Sequence, residues 1–139
     1  MFEIDTDATR LDRALIHRWL SQESYWAQGV PREVLDRALQ HSLCFGAYLD
    51  GSQVGFARAI TDRATFAYLA DVFVLPEQRG RGCAQQLMDA VMAHPELQGL
   101  RRFALATRDA HALYARYGFT PLARPETFME FYRPEIYRR

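Results

Sequence analysis

Apolar residues recur along this chain with two different spacings, which divide it into helices and strands. Leu11, Leu15 and Ile16 begin a run at helical spacing, and Trp19 and Leu20 continue the same face. Short aromatic and β-branched runs bounded by turn residues predict strands. The predicted elements are a strand at 2–4, helices at 11–20 and 31–41, strands at 43–49, 53–60 and 66–74, a helix at 82–94, a strand at 102–107, a helix at 109–117 and a strand at 128–132. This order, β-α-α-β-β-β-α-β-α-β, predicts an α/β fold with a mixed central sheet flanked by helices.

Turn and cap residues mark the ends of several elements. Asp7 or Thr9 is expected to cap the first helix, because short polar side chains accept hydrogen bonds from its free N–H groups. Pro31 suits the first position of the second helix. The triplet Asp50-Gly51-Ser52 between two apolar runs predicts a hairpin, and Gly118 is expected to end the last helix.

The composition favours one domain over residues 1–139. Hydrophobic residues make up 49% of the chain and aromatic residues 13%, which is enough to build a substantial core. The 17 basic and 17 acidic residues balance, so net charge gives no reason to expect a nucleic-acid or membrane partner. No apolar run reaches the roughly 18 residues of a membrane span, and the first residues do not resemble a signal peptide. We therefore expect a cytoplasmic protein.

The cysteines and histidines suggest no metal or disulfide chemistry. Cys44 and Cys83 are too few for a disulfide framework and suit a reducing compartment. Cys44 reads as a small buried hydrophobe, whereas Cys83 lies in a predicted first helical turn beside arginines, where its pKa should be lowered. No histidine is near Cys83 in sequence, which weighs against a nucleophilic role. The histidines show no metal-ligand spacing, so no metal is predicted.

The segment from the strand at 66–74 into the helix at 82–94 carries the strongest functional signal. A helix N-terminus presents free N–H groups and a partial positive charge. Gly80 and Gly82 let the backbone curl around a ligand, while Arg79 and Arg81 add formal charge. The turn therefore predicts a diphosphate site, with a plain strand-to-helix connection as the alternative.

Two well-known phosphate loops do not match this turn. A Walker loop ends in Gly-Lys-Ser/Thr, but Gly82 is followed by Cys83 and Ala84. The dinucleotide fingerprint requires a third small residue where Gln85 stands. The remaining pattern is Arg79-x-x-Gly82-x-Ala84 after an apolar strand.

A second motif extends this pattern. Leu113-Tyr114 is followed by Gly118-Phe119, as in a Leu-Tyr-x-x-x-Gly-Phe helix. Together and in this order, the two motifs resemble the GCN5-related N-acetyltransferase superfamily, whose pyrophosphate loop reads Arg/Gln-x-x-Gly-x-Gly/Ala. The resemblance covers residues 66–119, and the flanks agree only in element order. It implies an acetyltransferase of that fold that uses acetyl-CoA.

The resemblance also implies which residues hold acetyl-CoA. Main-chain groups of the strand before the loop would pair with the pantetheine arm, and an amide there would face the thioester oxygen. Loop N–H groups would hold the pyrophosphate. The implied cofactor residues are Val72, Phe73, Val74, Arg79, Gly80, Arg81, Gly82, Cys83 and Ala84, together with Asp109 and Tyr114. Many family members carry an asparagine near Asp109 that binds the arm, but Asp109 reads more simply as a helix N-cap.

The resemblance gives Tyr114 a catalytic role. Its phenol would protonate the departing CoA thiolate, and the alternative is a core tyrosine on an apolar helical face. A base must also take a proton from the attacking amine. Asp71 and His111 are the candidates, although Asp71 could be a hydrogen-bonded structural carboxylate and His111 a solvent-facing residue.

The acceptor is the least determined part. In the resembled fold the acceptor pocket is closed by segments that here contain Tyr25, Trp26, Arg58 and Phe128. Aromatic walls favour a small primary amine with an apolar body, while an amino acid, a polyamine or a protein N-terminus stay open. The expected function is direct acetyl transfer to such an amine. A non-catalytic acyl-CoA-binding module and a different phosphate-ligand enzyme are the alternatives, and a homodimer stays open.

Overall fold

Five strands form one mixed sheet whose spatial order equals their order in the sequence. The computed structural model describes residues 1–138. The strands are β1 (Glu3–Asp5), β2 (Leu43–Leu49), β3 (Ser52–Thr61), β4 (Phe66–Val74) and β5 (Arg102–Leu105). The helices are α1 (Arg13–Gln22), α2 (Arg32–Gln40), α3 (Cys83–Ala93) and α4 (His111–Ala115). Strands β1 to β4 pair antiparallel, and β5 pairs parallel to β4. The predicted α/β fold with a mixed sheet is therefore confirmed.

The β2–β3 hairpin forms as the sequence predicts. Leu49 lies opposite Ser52, so the loop contains only Asp50 and Gly51. Both loop residues have positive φ, 52° and 82°, as a two-residue turn that follows the twist of the strands requires.

Alternation along the strands gives the sheet two buried faces. One face packs against α3, and its core contains Phe45, Ala47, Ala57, Leu87, Met88 and Val91. The other face packs against α1 and α2, and its core contains Ile16, Leu20, Leu35, Leu39, Phe56 and Phe73. The sheet is therefore a middle layer between two sets of helices. Among residues 1–138, no helix is long and apolar enough to cross a bilayer.

Two predicted helix caps are wrong. Asp12, not Asp7 or Thr9, caps α1 by accepting a 3.0 Å hydrogen bond from the Leu15 N–H. Asp7 instead caps a separate 3-10 turn, Ala8–Arg10. Asp109 caps nothing, since α4 begins at His111 and Thr107 Oγ1 accepts the Ala110 N–H.

The predicted last strand is also absent. Residues 128–132 adopt neither strand nor helix after the 3-10 turn Pro125–Thr127. A strand exists only when its backbone pairs with a neighbour, and no strand of residues 1–138 is paired with this segment. Local β-propensity was therefore insufficient to place it in the sheet.

Replacing Asp12 with alanine should lower the free energy of unfolding by about 1 kcal/mol, because the α1 N-terminus loses its side-chain acceptor. Urea denaturation of the two proteins measures the difference. Asp7→Ala is the matched control and should cost less, because Asp7 caps only a single 3-10 turn. Equal losses would contradict the assignment.

Candidate active site

Strands β4 and β5 separate partway along their length and leave one edge of β4 open. They pair from Phe66 opposite Arg102 to Leu69 opposite Leu105. Strand β5 then ends, while β4 continues to Val74 alongside β3 only. Main-chain groups of Val72, Phe73 and Val74 that point away from β3 therefore have no strand partner, although the Phe73 side chain is buried in the core.

A β-bulge lies where the strands separate. Asp71 and Val72 both fall opposite Ala57, because Phe56 pairs with Phe73 and Arg58 with Ala70. Asp71 adopts a left-handed conformation with φ 59°, which aspartate tolerates better than most residues. Bulges commonly redirect a side chain next to a functional site.

The redirected Asp71 carboxylate is a buried junction. Its Oδ2 atom lies 2.8 Å from Arg58 Nε, and its Oδ1 atom accepts a 2.7 Å hydrogen bond from Trp26 Nε1. Arg58 also donates to Ser42 Oγ at 3.1 Å. Both carboxylate oxygens are thus engaged, and Asp71 ties β4 to β3 and to the loop between α1 and α2.

A cleft of about 700 Å³ opens at this junction. Its walls come from the α1–α2 loop, the sheet, the segment after β5, α4 and the C-terminal segment. They include Tyr25, Trp26, Arg58, Tyr68, Asp71, Val72, Arg108, Asp109, Tyr114, Glu130 and Tyr132. The structure therefore brings together Tyr25, Trp26, Arg58, Asp71, Val72, Asp109 and Tyr114 from the predicted set. Phe128 lies elsewhere, with the Arg102 guanidinium 4.6 Å from its ring centre.

Aromatic stacking fixes the α1–α2 loop over the cleft. Trp19 stacks on Phe73 with centroids 4.5 Å apart, and Trp26 lies 5.9 Å from Trp19. Tyr25 meets Trp26 edge to face at 4.9 Å. Arg108, which the sequence did not single out, places its guanidinium 3.8 Å from the Tyr25 ring centre. This contact joins segments far apart in sequence, so no local pattern could indicate it.

Tyr114 is buried, and its hydroxyl has no hydrogen-bond partner among residues 1–138. Burial raises the pKa of this phenol above its ordinary value. The turn that follows its helix is joined to α3 by Tyr117, whose hydroxyl lies 3.0 Å from Gln85 O and 2.8 Å from Asp89 Oδ1. His111, one turn before Tyr114, is exposed and does not line the cleft.

The loop before α3 has the geometry of an anion site. Gly80 and Gly82 have φ of 75° and 84°, and Gly82 is the N-cap residue of α3. No side chain caps this helix, so the first-turn N–H groups have no partner within residues 1–138. A Cβ at Gly80 would meet nothing within 4 Å. Free donors and open space at a helix N-terminus fit a diphosphate.

The loop arginines are partly held in place. Arg79 Nε donates to Val74 O at 3.1 Å, and Arg81 donates to Gln78 Oε1. Both residues are exposed, and Ala84 lies in the first turn of α3. The formal charges therefore sit at the rim of the loop, while its centre consists of main-chain donors.

The expectation for Cys83 is wrong. Its side chain is buried against β3: the sulfur lies so close to Gly55 that a Cβ atom at that position would be only 3.3 Å from it. Burial against β3, away from the arginines, raises its pKa instead of lowering it. Burial also raises the pKa of Cys44 to about 11. Among residues 1–138, no three His, Cys, Asp or Glu side chains cluster as metal ligands.

Comparisons with known proteins agree with this geometry. The model of the acetyltransferase (GNAT) family matches residues 13–119. A Gibberella zeae protein provisionally described as an acetyltransferase is 35% identical over 136 residues, covering 81% of this chain and 75% of that protein. A Xanthomonas campestris pv. campestris crystal structure, provisionally described as a GNAT acetyltransferase, is 61% identical with TM-score 0.99, covering 100% of this chain and 98% of that one. An aminoglycoside N-acetyltransferase in complex with CoA is 25% identical with TM-score 0.60, covering 96% and 94%.

Asp71→Ala should destabilise the protein by about 3 kcal/mol, because the largely buried Arg58 guanidinium would lose its counter-charge. Asp71→Asn should cost less, since asparagine tolerates the positive φ and can still accept a hydrogen bond. Urea denaturation of Asp71→Ala, Arg58→Ala and the double variant gives the coupling between the two residues. Strictly additive losses would show that the ion pair does not contribute to stability.

Proposed function

The chain belongs to the acetyltransferase (GNAT) family, and on that premise we propose that it transfers the acetyl group of acetyl-CoA directly to a primary amine of a small molecule. One observation carries the proposal: an uncapped glycine turn follows an open strand edge, which leads from a cleft that contains a buried tyrosine. The turn would bind the diphosphate of acetyl-CoA, the open strand edge would pair with its extended pantetheine arm, and the cleft would hold the reacting thioester.

The residues of the phosphate end have complementary roles. Main-chain N–H groups of Gly82, Cys83 and Ala84 would hold the diphosphate, with Arg79 and Arg81 at the rim. The open edge of Val72–Val74 would pair with the pantetheine arm, and Asp109 lies on the cleft wall where the arm would end. Acetyl-CoA would supply an activated thioester. An amide of the open edge would stabilise the charge on the carbonyl oxygen during attack.

Tyr114 is the proposed general acid. A general acid must be protonated before the reaction; a phenol is already protonated at neutral pH, and burial, by raising the pKa of Tyr114, extends the protonated range to higher pH. Its hydroxyl has no partner within residues 1–138, so it is available to donate a proton to the departing sulfur. The Tyr117 contact to α3 would keep this helix in register with the phosphate loop.

We assign the proton of the attacking amine to water and not to a particular side chain. Asp71 already accepts hydrogen bonds on both oxygens, so we assign it the role of positioning Arg58 and Trp26. His111 lies outside the cleft lining. We propose that water in the cleft takes the proton and passes it to solvent.

The acceptor end favours an amine with an apolar body. Tyr25, Trp26, Tyr68 and Tyr132 supply aromatic surface, and the Glu130 carboxylate lies at the same cleft. Aromatic faces and a carboxylate attract an ammonium group before it is deprotonated. The aminoglycoside N-acetyltransferase in complex with CoA supports a small-molecule acceptor by family analogy.

Free CoA should appear when the protein is mixed with acetyl-CoA and a panel of small primary amines. Acetyl-CoA and CoA alone should both raise the melting temperature, because in the proposed site most contacts would be to the diphosphate and pantetheine. The stabilisation is about 2.7 kcal/mol at a ligand concentration one hundred times Kd. Stabilisation without CoA release from any amine would instead indicate a non-catalytic acyl-CoA-binding module.

Gly82→Val is the matched control for this assay. A β-branched residue is strained at φ 84° and would fill space where the diphosphate should lie. The variant should fold but show neither a melting shift nor CoA release. Gly82→Asn, which tolerates the backbone conformation, distinguishes loss of ligand space from backbone strain. An unchanged CoA affinity in Gly82→Val would place the phosphate site elsewhere.

Tyr114→Phe should reduce kcat by roughly 10²–10⁴-fold with little change in acetyl-CoA affinity, because only the proton donor is lost. In the native enzyme, activity should persist while the phenol is protonated and fall as the pH rises through its raised pKa. The variant should lack that alkaline limb. A pH–rate profile with a responsive amine measures both effects.

His111→Gln is the companion variant. Because His111 is exposed and outside the cleft, its pH–rate profile should match that of the native enzyme. A selective loss of activity would identify His111 as the base.

An unaffected kcat in Tyr114→Phe would show that Tyr114 serves only in packing.

A further inference from the structure

The cleft contains two positively charged side chains whose surroundings differ. Among the described residues that line it, the cations are Arg58 and Arg108. Arg58 lies 2.8 Å from the Asp71 carboxylate and also donates to Ser42 Oγ, so its charge is already balanced. The Arg108 guanidinium makes no hydrogen bond or ion pair with any of residues 1–138. Its N–H donors are therefore available to a ligand in the cleft.

The Tyr25 ring holds this free guanidinium in position. The central carbon of the guanidinium lies over the ring, 3.8 Å from its centre. Tyr25 in turn packs edge to face on Trp26, whose indole N–H bonds the Asp71 carboxylate. An arginine stacked on an aromatic face loses less freedom when its fork of donors binds an anion. The cleft wall thus presents a preorganised cation without a counter-charge.

This cation lies in the part of the cleft that contains the proposed general acid. The pKa of Tyr114 is raised by burial first, and then by the nearby Tyr25 and Asp109. Tyr25 carries the Arg108 guanidinium, and Asp109 is the next residue along the chain. An anion bound by Arg108 would therefore lie close to the reacting thioester, as part of the acceptor would.

The remaining charges of the cleft favour a singly charged anion. With Arg58 and Asp71 paired, the other formal charges on its described lining are those of Arg108, Asp109 and Glu130. Two carboxylates would repel a doubly charged phosphate more strongly than a carboxylate. The two oxygens of a carboxylate also match the fork of a guanidinium. An acceptor with one ammonium group and one carboxylate would be complementary to both Glu130 and Arg108.

We propose that the acceptor is an amino acid with an apolar side chain, whose carboxylate pairs with Arg108 while its amine attacks acetyl-CoA. Trp26, Tyr68 and Tyr132 supply aromatic surface for the apolar side chain. A polyamine, which the sequence left open, would bring no anion to Arg108. This inference rests on the proposed acetyl transfer and names the acceptor class of that reaction.

The transfer step is balanced with the groups already described. The amine nitrogen forms a bond to the acetyl carbon, and the bond between that carbon and the CoA sulfur breaks. Tyr114 gives its proton to the departing sulfur, while water takes the proton of the amine and returns one to Tyr114. The products are an N-acetylamino acid and free CoA. Arg108 takes part only by binding the carboxylate.

CoA release from matched pairs of acceptors tests the inference. The probes are phenylalanine, leucine and methionine, each compared with its carboxamide, which has nearly the same size but no negative charge. The native protein should use the acids. Arg108→Gln should lower kcat/KM for the acids roughly 10–100-fold, chiefly through KM, and change kcat/KM for the amides by less than about twofold. The comparison within one variant cancels differences in amine reactivity, and a misfolded variant would lose both activities.

Tyr25 tests the positioning of the guanidinium. Tyr25→Leu removes the ring and should raise KM for the acids, whereas Tyr25→Phe keeps the ring and should retain the native KM. Arg37→Gln, on the exposed surface of α2 outside the cleft, is the matched control because it removes the same charge as Arg108→Gln. It should leave every acceptor unchanged.

Three results would overturn the inference while leaving acetyl transfer intact. The first is a native preference for the amides, and the second is an equal loss of acids and amides in a folded Arg108→Gln protein. The third is a rise in KM for acetyl-CoA in place of the acceptor, which would assign Arg108 to the cofactor. Absence of CoA release from every probe and from the wider amine panel would instead overturn the proposed function, and this inference with it.

Discussion

Strand β4 pairs with two neighbouring strands that run beside it for different lengths, and the arrangement of the site follows from that constraint. It pairs with β3 along most of its length but with β5 only as far as Leu69. The bulge at Asp71 lies just beyond that point, where the strand changes register. The resulting junction of the buried Asp71 carboxylate with Arg58 and Trp26 fixes the α1–α2 loop against the sheet. The cleft is thus held open by a satisfied polar network rather than by loose packing.

The two ends of the proposed site differ in how their polar groups are satisfied. At Asp71, hydrogen bonds engage both carboxylate oxygens, which rigidifies the wall. At the N-terminus of α3, no side chain caps the helix, and its donors stay free for a ligand. A protein can leave such donors free only where solvent or a ligand reaches them. The hydrogen-bonded Asp71 end therefore supports the cleft wall, whereas the free donors at the N-terminus of α3 form the proposed binding surface for the ligand.

Burial affects the titratable groups of the site in a consistent direction. The thiol of Cys83 and the phenol of Tyr114 both have raised pKa values, because each lies in the core and its charged form would lose hydration. For Cys83 this disfavours the activated thiolate that its place beside arginines suggested. For Tyr114 the same physics favours a proton donor. Identical desolvation therefore has opposite functional meaning for a nucleophile and an acid.

The sequence by itself determined the features that depend on neighbours along the chain. Helical and strand periodicities placed the nine elements of the main sheet and helices to within a few residues, and the Arg79–Ala84 motif identified the turn, because backbone geometry there is set locally by two glycines. Only the tertiary structure decided that Asp71 would be tied to Trp26, 45 positions away, that Cys83 would face β3, and that 128–132 would stay unpaired. The roles of the individual site residues stay predictions. Local spacing specifies which face of an element is apolar, whereas partners distant in sequence decide where each polar group and each strand edge is satisfied.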